Sequence, residues 1–78
     1  MDALETPDMK EYTVTMKWDS KAMVWYAVCD DIPMALESDS FDKLIERIKI
    51  AAPEILELNG KEPECLLRFV TDRMEAVA

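Results

Sequence analysis

The clearest hydrophobic pattern in the chain lies between residues 40 and 60. Ser40 is a suitable N-cap, and Asp42 adds negative charge to the first turn, where backbone N–H groups lack partners. Asn59 and Gly60 provide a left-handed C-cap. The apolar side chains between the caps recur at the spacing of one face of an amphipathic helix: Phe41, Leu44, Ile45, Ile48, Ala52, Ile55 and Leu56.

Pro53 interrupts this helical pattern. A proline has no N–H, so the hydrogen bond to the carbonyl of Lys49 is lost and the helix should kink or divide. We therefore expect one helix to about Ala52, followed by a bent segment from Pro53 to Leu58 that restarts at the proline.

A β-hairpin is predicted upstream of the helix. Residues 11–18 alternate as a half-buried strand does, and the run at 23–29 is a second strand. The polar turn at 19–22 is short, so the two strands pair antiparallel. On the first strand, one face carries Tyr12, Val14, Met16 and Trp18, and the other carries Thr13, Thr15 and Lys17.

The register of this hairpin has two alternatives. If Trp18 pairs with Val24, Tyr26 faces the core and Trp25 faces away from it. If Trp18 pairs with Trp25, Trp25 faces the core and Tyr26 faces away from it. We favour the first pairing because it turns small side chains such as Ala27 outward. Either pairing leaves one large aromatic residue on the far face of the sheet.

Two further strands complete the domain. Residues 34–38 form a third strand, and residues 65–74 form a fourth, with Arg68 outward and the apolar Cys65, Leu67 and Phe69 inward. A right-handed crossover through the helix makes the fourth strand parallel to the first. The predicted fold is α+β, with the order β-β-β-α-β, a small mixed sheet of order 3-2-1-4 and one kinked helix on one face.

The predicted organisation is a flexible N-terminal arm at residues 1–9, a single domain at 10–74 and a tail at 75–78. The chain has 78 residues, half of them hydrophobic. A core this small stabilises a fold only modestly, so such domains often gain stability by association. We expect a homo-oligomer, either a dimer or a tetramer.

Charge narrows the choice of partners. The formal net charge of -8 is spread along the whole chain. Nucleic acids bind to clustered Lys and Arg, which this surface lacks. A basic protein is a better electrostatic match. Residues 1–9 do not show the basic segment followed by an apolar run that marks a signal peptide. No apolar run in the sequence is long enough to span a bilayer.

Residues that usually carry catalysis or bind metals are scarce. There is no histidine, and Cys29 and Cys65 each sit in an apolar run. We expect buried free thiols in a reducing, cytoplasmic environment, and no zinc site. The acidic pair Asp30–Asp31 does not have the spacing of a calcium loop, and we interpret it as a turn. The chemistry predicts no enzyme, no metal and no cofactor.

Four residues are predicted to contact a protein partner: Trp25, Tyr26, Asp30 and Asp31. Tryptophan and tyrosine dominate interface hot spots, and one of the two is expected on the exposed face. The two aspartates would meet a basic partner.

Several short motifs together suggest a family. They are Trp-Asp at 18–19, Val-Trp at 24–25, Asp-Ile-Pro at 31–33, and the run from Pro53 to Asn59. With these motifs the chain resembles the short HicB-like family, stand-alone relatives of the N-terminal domain of HicB antitoxins, over Lys10–Arg73. The resemblance implies a truncated ribonuclease H-like fold without its catalytic carboxylates.

The implied role is to bind and occlude HicA, a small basic toxin that cleaves messenger RNA, often as a dimer or tetramer. This sequence has Met34 and Met23 where the family usually has glycines. Full HicB antitoxins also carry a C-terminal DNA-binding domain. No such domain is recognisable here, so we do not expect this chain alone to repress an operon.

Two hypotheses follow for the function. The first is a non-catalytic, HicB-like protein-binding module that acts as the antitoxin of a toxin–antitoxin pair. The second is an orphan domain that associates mainly with itself and has no toxin partner.

Overall fold

The computed structural model describes residues 9–78. The predicted N-terminal arm lies outside this range, except for Met9. The elements in chain order are β1 (Lys10–Asp19), β2 (Val24–Val28), β3 (Glu37–Ser38), α1 (Phe41–Leu58) and β4 (Cys65–Asp72).

The strand order in the sheet is β3-β2-β1-β4, as predicted. β1 pairs antiparallel with β2 and parallel with β4. The crossover from β3 through α1 brings β4 to the far side of β1, which is the arrangement expected of a right-handed connection. The α+β fold with one helix is therefore confirmed.

The core lies between one face of the sheet and the apolar face of α1. The alternation in β1 sends Tyr12, Val14 and Met16 inward, where each is almost fully buried. The apolar side chains that recur along α1 pack against them. Ile32, from the loop after β2, is also fully buried in this core. The buried helix residues are Leu44, Ile48, Ala52 and Leu56.

The predicted caps of α1 are present. The Ser40 hydroxyl accepts from the backbone N–H of Lys43 at 3.3 Å. At the other end Gly60 has φ +72°. Its N–H donates to the Glu57 carbonyl at 3.0 Å, and the Lys61 N–H donates to the Leu56 carbonyl at 2.9 Å. These two bonds form a Schellman motif, which needs the left-handed glycine.

The predicted division of the helix at Pro53 is wrong, because α1 runs as one element from Phe41 to Leu58 with Pro53 inside it. The proline removes one hydrogen bond. Ala52 and Leu56, on either side of it, are both buried in the core. Their packing holds the segment in place despite that loss.

The favoured hairpin register is also wrong, because Trp18 pairs with Trp25 and not with Val24. The turn is one residue longer than expected and includes Met23, whose φ is +59°. One Oδ of Asp19 accepts from the N–H groups of Lys21 and Ala22 at 3.0 and 3.2 Å. The Met23 N–H donates to the Asp19 carbonyl at 2.8 Å. This turn starts β2 at Val24 and turns Trp25 inward.

Three smaller predictions need correction. β3 contains only two residues, where the sequence suggested residues 34–38, and β4 ends at Asp72 and not at Met74. Both cysteines are free, as predicted, but each is only partly buried. Partial burial raises the pKa of the Cys65 thiol, and the neighbouring Cys29 raises it further.

A pair of isoleucines on α1 tests the position of the core. Ile48 is fully buried, whereas Ile50 is 67% exposed. We expect Ile48→Ala to lower the free energy of unfolding by about 2–5 kcal/mol. The matched change Ile50→Ala should alter it by less than about 0.5 kcal/mol. Urea unfolding followed by tryptophan fluorescence measures both.

If Ile48→Ala does not fold, Ile48→Val replaces it, with an expected loss of about 0.5–1.5 kcal/mol. Equal losses for the substitutions at positions 48 and 50 would contradict this assignment of the core.

Candidate protein-binding surface

The helix covers only one face of the sheet. We call the opposite face the outer face. The pairing registers place alternate residues of three strands on it. They are Glu11, Thr13, Thr15 and Lys17 of β1, Val24, Tyr26 and Val28 of β2, and Leu66, Arg68, Val70 and Asp72 of β4. Within residues 9–78 there is a single helix, and it packs on the inward-facing side chains.

Apolar side chains lie side by side at the centre of the outer face. Val28, Thr15 and Val70 occupy one row across β2, β1 and β4. Tyr26 stands in the adjacent row. The exposed fractions of Tyr26, Val28 and Val70 are 37%, 39% and 38%. An exposed apolar patch of this kind is typical of a surface that contacts another molecule.

A groove runs beside Tyr26 towards the segment that leads into β3. Its apolar walls come from Val24, Met34 and Leu36, and Glu37 closes one side. The phenol ring therefore borders a concave surface that is partly apolar and partly acidic, with Asp19 and Glu37 at its sides, and it carries a hydroxyl that can hydrogen-bond at its tip. This combination makes tyrosine effective in interfaces.

The charged border of the outer face is partly neutralised within the chain. Arg68 Nε donates to one carboxylate oxygen of Glu11 at 2.9 Å, and Nη2 approaches the other at 3.4 Å. The hydrogen bond and charge of Arg68 hold the pKa of Glu11 below its ordinary value. Reciprocally, Glu11 raises the pKa of Arg68. Arg68 is therefore not available as an unpaired cation on this face.

The four predicted contact residues are not brought together. Tyr26 lies on the outer face, whereas Trp25 lies on the helix side and packs against the core. Its ring is 5.3 Å from that of Trp18 and meets Phe41 edge-on at 4.9 Å, centroid to centroid. The predicted outward position of Trp25 is therefore wrong, because Trp18 pairs with Trp25 and both lie on the helix side.

Asp30 and Asp31 are exposed on the loop after β2. Asp31 borders a hollow together with Pro33 and the C-terminal end of α1, where Ile55 and Asn59 contribute. The pair is thus at a different place from the aromatic cluster at the start of the helix. Their role in partner binding stays a prediction.

One arrangement was not anticipated from the sequence. The guanidinium carbon of Arg73 lies 4.3 Å from the ring centroid of Trp18 and 5.4 Å from that of Trp25. The Arg73 Nε also pairs with a carboxylate oxygen of Glu75 at 2.6 Å. The β1–β4 register, extended by one residue past Lys17–Asp72, sets Arg73 beside Trp18. Only that register could have revealed the contact.

Neither a metal centre nor a membrane span is found in the part of the chain that the structure describes. Across residues 9–78, no three His, Cys, Asp or Glu side chains are grouped so that they could hold a metal ion. No helix in the same range is long and apolar enough to cross a membrane.

Comparison with known proteins identifies the family. The DUF1902 family, described as a domain of unknown function, matches residues 11–78. The chain belongs to the DUF1902 family. A search of curated protein sequences found no match.

A solved structure supports the fold of this DUF1902 domain. It is the crystal structure of the hypothetical protein TTHA1013 from the extremely thermophilic bacterium Thermus thermophilus. The TM-score is 0.69 at 28% sequence identity, and the alignment covers 88% of this chain and 99% of that chain. The similarity extends over nearly the whole domain, but it supplies no partner or activity.

Substitution of adjacent aromatic residues tests the hairpin register of this DUF1902 domain. Trp25→Ala removes contacts with Trp18 and Phe41, so we expect a loss of about 3 kcal/mol in the free energy of unfolding. Tyr26→Ala on the outer face should cost less than about 1 kcal/mol. Chemical denaturation monitored by circular dichroism compares the two, and a larger loss for Tyr26→Ala would favour the rejected register.

The Glu11–Arg68 pair predicts a titration shift. The folded-state pKa of Glu11 is lowered, so the pair favours folding above the unfolded pKa and loses that contribution as pH falls through the folded one. Both groups are solvent-exposed, so the effect on stability should be small. In an NMR titration, Arg68→Gln should move the pKa of Glu11 up towards its ordinary value. An unchanged pKa would contradict the ion pair.

Proposed function

We propose that this domain is a non-catalytic protein-binding module of HicB-like type, the antitoxin component of a toxin–antitoxin pair. Its outer face binds and neutralises a small, basic, RNA-cleaving protein. The observation that carries the proposal is the exposed apolar patch of Tyr26, Val28 and Val70, in two adjacent rows of a sheet face that α1 leaves uncovered.

The shape of the surface supports protein contact. Interface hot spots combine a large aromatic anchor with neighbouring side chains that exclude water. Tyr26 provides the anchor, and Val24, Met34 and Leu36 form apolar walls around it. Val28 and Thr15 continue the surface towards the centre of the sheet.

The charge of the chain supports a basic partner. With a net charge of -8, the domain attracts cationic proteins and speeds their encounter. Nucleic acid is the poorer alternative, because sheets that bind RNA frame their aromatic residues with cations. Here Arg68, on the outer face, is paired with Glu11, which leaves Lys17 as the one cation beside Tyr26 and no basic frame around it. The exposed Asp30 and Asp31 add negative charge at one end of the domain.

The antitoxin role rests on the resemblance of the motifs to HicB-like sequences. That family would have a three-stranded antiparallel sheet, a helix and a fourth strand, and the order observed here is compatible with it. An acidic antitoxin covering a basic toxin also fits the charge argument. Occlusion of the toxin requires only contact, so it needs no catalytic group on this chain.

The test uses the protein encoded by the reading frame next to this one. We expect a small basic protein whose RNA cleavage stops when this domain is added in equimolar amount. In calorimetric titration, Tyr26→Ala should weaken binding at least about tenfold. Ile50→Ala, an exposed site on α1, is the matched control and should bind as the parent does.

Charge reversal tests the electrostatic part separately. Asp30→Lys/Asp31→Lys should slow association and weaken its dependence on salt. The control is Glu54→Lys/Glu57→Lys, which makes the same charge change on exposed positions of α1. Equal effects of the two double variants would show that Asp30 and Asp31 do not contact the partner.

An adjacent protein that this domain does not bind, or whose binding is unaffected by Tyr26→Ala, would overturn the proposed function. An unrelated neighbouring protein would favour the orphan domain that associates with itself.

A further inference from the structure

The two edges of the sheet differ sharply. At one edge, β3 has only two residues, and the Glu37 carbonyl accepts from Arg47 Nη1 at 2.9 Å. At the other edge, β4 has eight residues, and among the elements of residues 9–78 only β1 pairs with it. The β3 edge is therefore short and partly capped, whereas β4 presents a full row of backbone donors and acceptors.

The sequence of β4 lacks the usual protection of an open edge. Exposed edge strands commonly carry lysine, proline or a bulge that discourages pairing with another chain. The strand Cys65–Asp72 reads CLLRFVTD and contains no lysine and no proline. Its side chains alternate regularly between the two faces, so a second strand could continue the sheet.

We propose that this edge is the self-association surface: β4 pairs antiparallel with β4 of a second copy, around a two-fold axis at Val70. The two four-stranded sheets then form one continuous eight-stranded sheet. This inference concerns the β4 edge, which shares Val70 with the apolar patch of the outer face, and it does not depend on the antitoxin role.

Charge selects this register. Directly opposite residues in an antiparallel pair share a face, so a symmetric pairing must be centred on a residue. Centring on Val70 sets Arg68 opposite Asp72 of the second copy, twice in the dimer, so that each guanidinium lies between Glu11 of its own chain and Asp72 of the other. Centring on Arg68 would oppose two arginines. Centring on Phe69 would set Arg68 against Val70 and Asp72 against Leu66. Of these three registers, only the one centred on Val70 sets opposite charges across the axis. Centring on Leu66 would set Arg68 against Glu64, but it would pair only three residues of β4, whereas the Val70 register pairs five.

A groove next to the edge also fits this partner. It lies on the helix side of β4, and its residues are mainly apolar: Met9, Lys49, Pro53, Pro63, Glu64, Cys65, Leu66, Leu67 and Phe69. In the Val70 register, the chain that follows Asp72 in the second copy runs past Leu67 towards Pro63. That segment carries Val77, which would lie opposite Pro63 on the helix side and is 90% exposed in a single copy. The groove would shelter this side chain, whereas Met74 would lie opposite Leu66 on the outer face.

A symmetric cross-link tests the register directly. In a Cys29→Ala/Cys65→Ala background, Val70→Cys places two thiols opposite each other on the axis, within disulfide range for paired strands. We expect mild oxidation to give a covalent dimer. Val28→Cys is the matched control, since Val28 is 39% exposed on the same face but lies on β2, and it should remain uncross-linked.

Sedimentation equilibrium is the second test, and its variants keep both Cys29 and Cys65. We expect the parent chain to be a dimer, Val70→Lys to be a monomer, and Val28→Lys to stay dimeric. Asp72→Arg should weaken the dimer roughly tenfold, and Arg68→Asp/Asp72→Arg should restore it. Circular dichroism checks that each variant is folded.

A monomeric parent chain would overturn the proposal. So would a dimer that Val28→Lys breaks as well as Val70→Lys, since both side chains lie on the outer face and that pattern indicates face-to-face packing. Failure of the Arg68→Asp/Asp72→Arg variant to recover the dimer would overturn the Val70 register.

Discussion

Burial of one helix face against one sheet face is the interaction on which this structure depends. The side chains involved come from β1 and α1, with Ala27 from β2 and Ile32 from a loop, and they are almost inaccessible to solvent. A chain of 78 residues has enough apolar surface for a single such interface. The capped helix therefore determines which side of each strand is inside, and the hairpin turn determines which residues of β2 occupy that side.

The same small size produces the two surfaces that we assign to contacts. One helix cannot cover both faces of a four-stranded sheet, so Tyr26, Val28 and Val70 stay partly exposed on the outer face. The crossover that places β4 beside β1 also leaves β4 at the edge. The two proposed contacts are compatible, because a β4-paired dimer would keep both Tyr26 side chains exposed on the same extended sheet.

Membership in the DUF1902 family and similarity to a protein of Thermus thermophilus place the domain among relatives without an assigned activity. The physical features of this chain favour contact over catalysis. Its partly buried aromatic residues stabilise the core, with Arg73 stacked on Trp18 and Trp25, and Glu11 neutralises Arg68 on the outer face. The proposal of a cationic partner follows from the net negative charge and the apolar patch on the outer face.

The sequence by itself determined the elements, their order and the inside of β1, because these depend on periodicity, on the caps at Ser40 and Gly60 and on the handedness of the crossover. The tertiary structure alone decided the hairpin register, because the Asp19 turn takes in Met23 and no local preference distinguishes Trp25 from Tyr26 as the inward residue. It also decided that α1 continues through Pro53, since the packing of Ala52 and Leu56 outweighs one lost hydrogen bond. The contact between Arg73 and Trp18 joins distant segments, so it became visible only once β4 was aligned with β1.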